Sequence, residues 1–312
     1  MPQHFLSLYD KSTEELRALL DLARMMKLNP AGFQQACAGK SLAMIFQKPS
    51  LRTRVSFEVG MTQLGGHALY LGPKDIQLHR GETIADTARV LSRYVDGIMA
   101  RVFAHADVLA LAEHASVPVI NALSDLLHPC QVLCDLMTIQ EKKGRLEGLK
   151  LAYVGDGNNM AHSLLYGGAR FGMTVAVCHP RGYAPSADVV TNARAVAAER
   201  GGAIQITEDP REGVADADVV YTDVWASMGQ EEEKAERMAR FEGFQVNADL
   251  MACARPDAIF MHCLPAHRGE EVAAEVIDGP QSVVFDEAEN RLHVQKAILA
   301  RSMGSARPQG VS

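Results

Sequence analysis

Short apolar runs separated by helical patterns recur along nearly the whole chain, and no other feature constrains the fold as strongly. From Ser41 onward the runs read as strands at 42–46, 68–71, 97–102 and 119–120, with helices at 53–64, 83–94 and 106–114 between them. Strands alternating with helices in this way build parallel sheets, because a crossover helix must return each strand to the same edge. A longer helix is predicted over 129–143, opening on Pro129 and stopped by Gly144. Beyond it the alternation restarts, with strands at 151–154, 175–178, 203–206, 219–222, 258–262 and 283–285. The expected architecture is α/β: two doubly wound parallel-sheet domains, 1–144 and 145–312, with 129–143 as the bridging helix. The last helix, 287–303, is expected to pack back on the first domain. An amphipathic helix opens the chain, signalled by the capping pair Ser12 and Glu15 and by Leu16, Leu19, Leu20, Ala23 and Met26 on one face.

At 312 residues and 47% hydrophobic, the chain has enough apolar material for two such cores. A net charge of −7 argues against a general nucleic-acid binder, so any anion site must be built locally. No apolar run approaches the roughly 20 residues needed to span a bilayer, and residues 1–9 lack the basic and apolar regions of a secretory signal. The six cysteines form no CxxC pair, which points to reduced thiols and a cytoplasmic protein. Glu231-Glu232-Glu233 reads as a solvated helix start, and the Gly/Pro/Ser-rich stretch 305–312 as a frayed tail.

Several familiar motifs fail on inspection. Gly39-Lys40-Ser41 resembles the end of a P-loop, but Gln34 stands where a glycine is needed and no strand precedes it. Gly155-Asp156-Gly157 follows a strand, yet Met160 holds the third glycine position and Cys178-His179-Pro180 offers no ribose-binding acid, so a nicotinamide cofactor is not expected. His262-Cys263 with His267 fits no structural zinc spacing, and Cys130 and Cys134 read as one face of the bridging helix; no metal is expected.

The segment Lys48-Pro49-Ser50-Leu51-Arg52-Thr53-Arg54 lies between the first predicted strand and its helix. In an open α/β sheet this edge is where ligands bind. Free backbone N–H groups, the positive end of the helix, two hydroxyls and two guanidinium groups would converge there, which suits a phosphate. The same residues also read as a Ser50 helix cap beside two ordinary surface arginines. The segment alone leaves both readings open.

Ser50-x-Arg52-Thr53-Arg54 resembles the carbamoyl-phosphate signature of the transcarbamoylases, and His128-Pro129-Cys130-Gln131 resembles their second element at the bridging helix. Asp223-Val224-Trp225-Ala226-Ser227-Met228-Gly229 and His262-Cys263-Leu264-Pro265 resemble the ornithine-binding segments of the ornithine carbamoyltransferases. The likeness extends through Asp86-Thr87-Ala88-Arg89-Val90-Leu91, Asp156-Gly157-Asn158-Asn159 and Asp286-Glu287-Ala288-Glu289-Asn290-Arg291.

The resemblance implies transfer of a carbamoyl group from carbamoyl phosphate to the side-chain amine of L-ornithine, giving L-citrulline and phosphate without a cofactor, in arginine metabolism; biosynthesis is the favoured direction, although synthesis and breakdown share a site. It assigns Ser50, Leu51, Arg52, Thr53 and Arg101 to the phosphate, and Arg52, His128 and Gln131 to the carbonyl oxygen that gains charge in the tetrahedral intermediate. Arg291, Cys263 and Leu264 complete the carbamoyl-phosphate pocket, and Gln77 comes from a loop that reaches a neighbouring subunit. Asn159, Asp223, Ser227 and Met228 are assigned to ornithine, and Cys263 to the reacting amine, which a thiolate could orient. His128 precedes Pro129, so the helix dipole is expected to keep its imidazole neutral.

The same resemblance implies a homotrimer or a multiple of one, with small-molecule substrates as partners and neither nucleic acid nor membrane. A carbamoyltransferase for putrescine or N-acetylornithine is the nearest rival, and a non-catalytic subunit retaining the phosphate site is a rival of another class. The segment 223–229 separates the first, since a putrescine enzyme needs no carboxylate site. The occupied catalytic positions disfavour the second.

Overall fold

The capping pair at the start of the chain forms as its chemistry dictates. In the computed structural model, α1 spans Thr13–Leu28, the Ser12 hydroxyl accepts the Glu15 N–H at 3.1 Å, and the Glu15 carboxylate accepts the Ser12 N–H at 2.8 Å. The structure describes residues 2–76, 81–226 and 234–304. The expected helix start at 231–233 and the expected frayed tail at 305–312 lie outside them. The chain divides into two compact units, Met1–Cys134 together with Glu289–Ser312, and Asp135–Ala288.

In the first unit, α1 is followed by β1 (Ser41–Phe46), α2 (Leu51–Gln63), β2 (His67–Leu71), α3 (Ile84–Leu91), β3 (Gly97–Arg101), α4 (His105–His114) and β4 (Val119–Leu123). The four strands form one parallel sheet in the order β2-β1-β3-β4. β1 is buried from Leu42 to Phe46, as a central strand covered on both faces must be. Ile45, Ile98, Val108 and Val119 belong to one buried apolar cluster, where each such side chain stabilises the fold by roughly 1.5–3 kcal/mol. The helix expected at 83–94 stops at Leu91, because the Ser92 hydroxyl turns back to the Ala88 carbonyl at 2.7 Å.

α5 (Pro129–Lys143) begins in the first unit and continues into the second. The second unit holds β5 (Lys150–Val154), α6 (Asn159–Arg170), β6 (Thr174–Cys178), α7 (Ala187–Arg200), β7 (Ala203–Thr207), α8 (Pro210–Val214), β8 (Val219–Thr222), α9 (Lys234–Arg240), α10 (Ala248–Met251), β9 (Ile259–His262) and α11 (Ala274–Ile277). Its parallel sheet has the order β7-β6-β5-β8-β9. α6 lies so close to β6 that a Cβ on Gly168 would collide with Val175. The aromatic side chains of Tyr183, Trp225, Phe241 and Phe244 pack together beside this sheet.

One expected strand is absent. Val284 and Phe285 open α12 (Val284–Met303) instead, with Val283 just before it. The chain touches the edge strand β9 only briefly: the Phe260 N–H donates to the Gln281 carbonyl at 2.8 Å and the Val283 N–H to the Phe260 carbonyl at 3.0 Å. The Glu287 N–H then closes the first helical turn on the Val283 carbonyl at 2.9 Å. Asp286 and Glu287 in that turn favour the positive end of a helix, which outweighs the β-branched pair Val283-Val284. From Glu289 onward α12 belongs to the first unit, where the Lys27 ammonium reaches Asn290 at 2.7 Å and the Lys296 ammonium reaches Gln63 at 2.9 Å. Among the described residues no helix is long and apolar enough to cross a membrane.

Candidate active site

Strand order decides which loops can meet. In the first sheet the chain leaves β1 to one side for β2 and returns to the other for β3, so the order reverses between β1 and β3, whose ends pair as Phe46 and Arg101. In the second sheet the reversal falls between β5 and β8, whose ends pair as Val154 and Thr222. Loops part at such points and leave a crevice at the carboxyl edge. Ser50, Arg52 and Thr53 follow β1, Arg101 ends β3, Asn158 follows β5 and Asp223 follows β8.

In the first unit Ser50 caps α2, its hydroxyl accepting the Thr53 N–H at 3.3 Å. Thr53 is wholly buried, and its hydroxyl accepts from Arg291 at 2.8 Å and from Arg101 at 3.5 Å. Both arginines are buried. His128, also buried, is held well below the usual histidine range by burial and then by the charges of Arg291, Arg101 and Arg52. That direction is the one expected for a neutral imidazole, and burial and three guanidinium groups act toward it. Lys48, its ammonium 4.5 Å from the Phe103 ring centre, is lowered by burial and then by Arg101. Three guanidinium groups and an ammonium thus lie about His128 and Thr53, and a phosphate with several oxygens suits such an array of charged donors. Gln131 is wholly buried in the first turn of α5, and Leu51 is the exposed first residue of α2. Arg54 is engaged elsewhere, pairing with Glu58 at 3.3 Å and lying 4.0 Å over the Tyr70 ring.

The second unit gathers the opposite charge. Asp223 is buried, and its Oδ1 accepts the Val224 N–H at 2.8 Å and the Cys263 thiol at 3.2 Å. The Asn158 side-chain carbonyl caps α6 on Met160 and Ala161, which turns its NH₂ toward Asp223 Oδ2 at 3.4 Å. A Cβ on Gly157 would collide with the backbone of Ala184 and Pro185, so only glycine lets this loop sit where Asn158 meets Asp223. Cys263 is pushed well above the usual thiol range by desolvation and then by Asp223. It is thus a thiol donating to a carboxylate, and the thiolate considered from sequence is replaced by that arrangement.

The turn beyond β9 is tightly specified. Leu264 adopts φ +57°, and its N–H donates to His262 Nδ1 at 2.9 Å. With Nδ1 an acceptor, the ring proton lies on Nε2, which faces Glu271 Oε1 at 3.2 Å. Burial pushes Glu271 up, but His262 and the His267 N–H at 2.6 Å outweigh it and hold the carboxyl below its usual range.

Among the described residues two groups of donors lie close enough to share a metal ion. The first is Asp223, His262 and Cys263; the second is His267, Glu270 and Glu271, so His267 stands apart from His262 and Cys263. In the first group the donors are already joined to protein partners by the hydrogen bonds just described. Of the remaining expected residues, Arg52 and Asn159 stand in the first turns of α2 and α6. Gln77, Ser227 and Met228 lie outside the described residues. Lys48 and Asn158 enter the site beyond the expected set. For Asn158 the readable signal is its place as the cap of a helix that opens directly after Gly157.

Comparison with known proteins bears on both halves. Residues 3–141 match the family model of the aspartate/ornithine carbamoyltransferase carbamoyl-P binding domain, and residues 147–302 match that of the Asp/Orn binding domain. The chain is 62% identical over 301 residues to an ornithine carbamoyltransferase of Thermococcus kodakarensis, with 96% of each covered. It is 60% identical over 301 residues to the anabolic ornithine carbamoyltransferase of Pyrococcus furiosus, with 96% of each covered. A solved structure of ornithine carbamoyltransferase from Pyrococcus furiosus superposes with a TM-score of 0.94 at 58% identity, covering 100% of this chain and 98% of that one.

Proposed function

The chain belongs to the aspartate/ornithine carbamoyltransferase family, and from that premise we propose that it transfers the carbamoyl group of carbamoyl phosphate to the side-chain amine of L-ornithine, giving L-citrulline and phosphate in arginine biosynthesis. The observation that carries the choice of ornithine is the Asp223 carboxylate with the Cys263 thiol and Asn158 amide against it. An acidic site suits a substrate bearing ammonium groups and repels a dicarboxylate such as aspartate.

In this reading residues 1–144 bind carbamoyl phosphate together with Arg291 of the returning last helix, and the rest of 145–312 binds ornithine, with 129–143 as the bridge. Ser50, Leu51, Thr53, Arg101 and Arg291 hold the phosphate oxygens. Arg52, His128 and Gln131 donate to the carbonyl oxygen as it becomes an oxyanion. Asp223 takes an ornithine ammonium, with Asn159, Ser227 and Met228 completing that site. Cys263 and Leu264 flank the reacting nitrogen, and Cys263 does not form a covalent bond. The side-chain ammonium loses one proton to solvent, and its lone pair attacks the carbamoyl carbon. As the tetrahedral adduct collapses, the bond to the phosphate oxygen breaks, the electron pair leaves on phosphate, and the second amine proton departs with it. No cofactor takes part.

The enzyme acts in the cytoplasm as a homotrimer, with Gln77 supplied to a neighbouring subunit. Purified protein given carbamoyl phosphate and L-ornithine forms citrulline, and N-acetylornithine or putrescine in place of ornithine yields little carbamoylated product. Equal turnover of putrescine would reject the amino-acid site, and no turnover of any amine would favour a binding subunit.

A further inference from the structure

Glu287, in the first turn of α12 and within the second unit, has no part in the reaction as written, yet it is 1% exposed and fully engaged. Its Oε1 accepts the Tyr221 hydroxyl at 3.0 Å and its Oε2 accepts the His262 N–H at 3.0 Å. Its third neighbour is Asp135, wholly buried on α5, to which it is hydrogen-bonded. Two carboxyl groups can hydrogen-bond to one another only if a proton lies between them. Burial and then Asp135 push Glu287 well above the usual carboxylate range, which keeps that proton in place.

The geometry explains what such a pair does. β9 is an edge strand, and its outward N–H groups at Phe260 and His262 need acceptors. Phe260 finds the Gln281 carbonyl at 2.8 Å, but the neighbouring chain then turns into α12, and the Glu287 side chain stands in for the missing strand at His262. His262 is the last residue of β9. Its imidazole holds the Leu264 N–H, and Cys263 lies between them, tied to Asp223.

We propose that the Glu287–Asp135 carboxyl pair is a positioning device for the turn that carries Cys263 and Leu264, acting through the His262 amide. An apolar residue would fill the same space, but it would leave that buried N–H without an acceptor and the turn free to shift. The inference rests on the reaction proposed above, in which this turn flanks the attacking amine.

The test compares the full-length wild type with Glu287→Gln and Glu287→Leu. Each is assayed for citrulline formation with both substrates varied, for carbamoyl phosphate binding by calorimetry, and for amide hydrogen exchange in peptides covering 259–266. Glutamine resembles the protonated acid and should keep kcat and the ornithine KM within about twofold. Leucine should lower kcat and raise the ornithine KM about tenfold each, leave carbamoyl phosphate binding unchanged, and speed exchange at the turn. If the leucine variant does not fold, Glu287→Asp, too short to meet both donors, takes its place with the same expectation.

Wild-type constants and exchange in the leucine variant would overturn the proposal. So would a glutamine variant as impaired as leucine, or equal losses for both substrates. A wild-type protein that makes no citrulline would overturn the reaction instead, while the exchange data would still report on the turn.

Discussion

Arg101 and Arg291 share the Thr53 hydroxyl as a neighbour, and with Arg52 they impose one field on His128. In such a field the role of a side chain depends on the charge the substrate develops. Arg52→Ala should leave the fold intact and lower kcat by about 100-fold or more, because a donor to the developing oxyanion is lost; circular dichroism and citrulline assays on the same sample check both halves of that statement. Asp223→Asn should weaken ornithine binding well beyond any effect on carbamoyl phosphate, since the exchange removes a negative charge from the second unit alone. Titrating each ligand separately decides it, and equal losses would make Asp223 a structural residue. Much of this site is legible in sequence, since Ser50, Arg52 and Thr53 stand in one contiguous motif. Arg291 is not legible from spacing: it meets Thr53 across 238 positions and enters only through family resemblance. Asn158 is missed for a local reason, because two consecutive asparagines open α6 and only cap geometry tells which one turns its amide to Asp223.

Among the elements, α2 carries a structural role and a proposed binding role on one residue. The cap reading of Ser50 is met there, and the proposed phosphate role uses the amino end of the same helix. Ser50→Ala should cost about 1 kcal/mol of stability from the lost cap and also weaken carbamoyl phosphate. Thermal unfolding with and without the ligand separates the two effects, and a stability loss with unchanged ligand affinity would reduce Ser50 to a cap. Central strands are legible because their apolar runs are continuous and bounded. The segment 283–285 misleads because Val283-Val284 has strand chemistry while Asp286 and Glu287, two residues further on, favour a helix start. The short helices α8, α10 and α11 carry only four or five residues each, too few for a periodic pattern to declare itself.

At the scale of the whole molecule, two buried groups shape stability against pH from opposite sides. His128 stays neutral in the folded chain, whereas its ring in the unfolded chain takes up a proton near pH 6.5, so stability falls as pH drops through that value. Glu287 keeps its proton in the folded chain and loses it in the unfolded chain near pH 4.5, so its contribution erodes as pH rises above that value. Urea unfolding across pH should show Glu287→Gln flattening the second slope and His128→Gln the first, and an unaltered profile in either variant would remove that group from the account. The central claim is direct transfer between two bound substrates, and one measurement reaches it most directly. Single-turnover NMR with carbamoyl phosphate labelled with ¹³C at its carbonyl, alongside mass spectrometry of the protein, follows the carbon from donor to product. The label should pass to the ureido carbon of citrulline with an equal amount of phosphate and no mass added to the chain; a carbamoylated Cys263 formed before ornithine is supplied would contradict it.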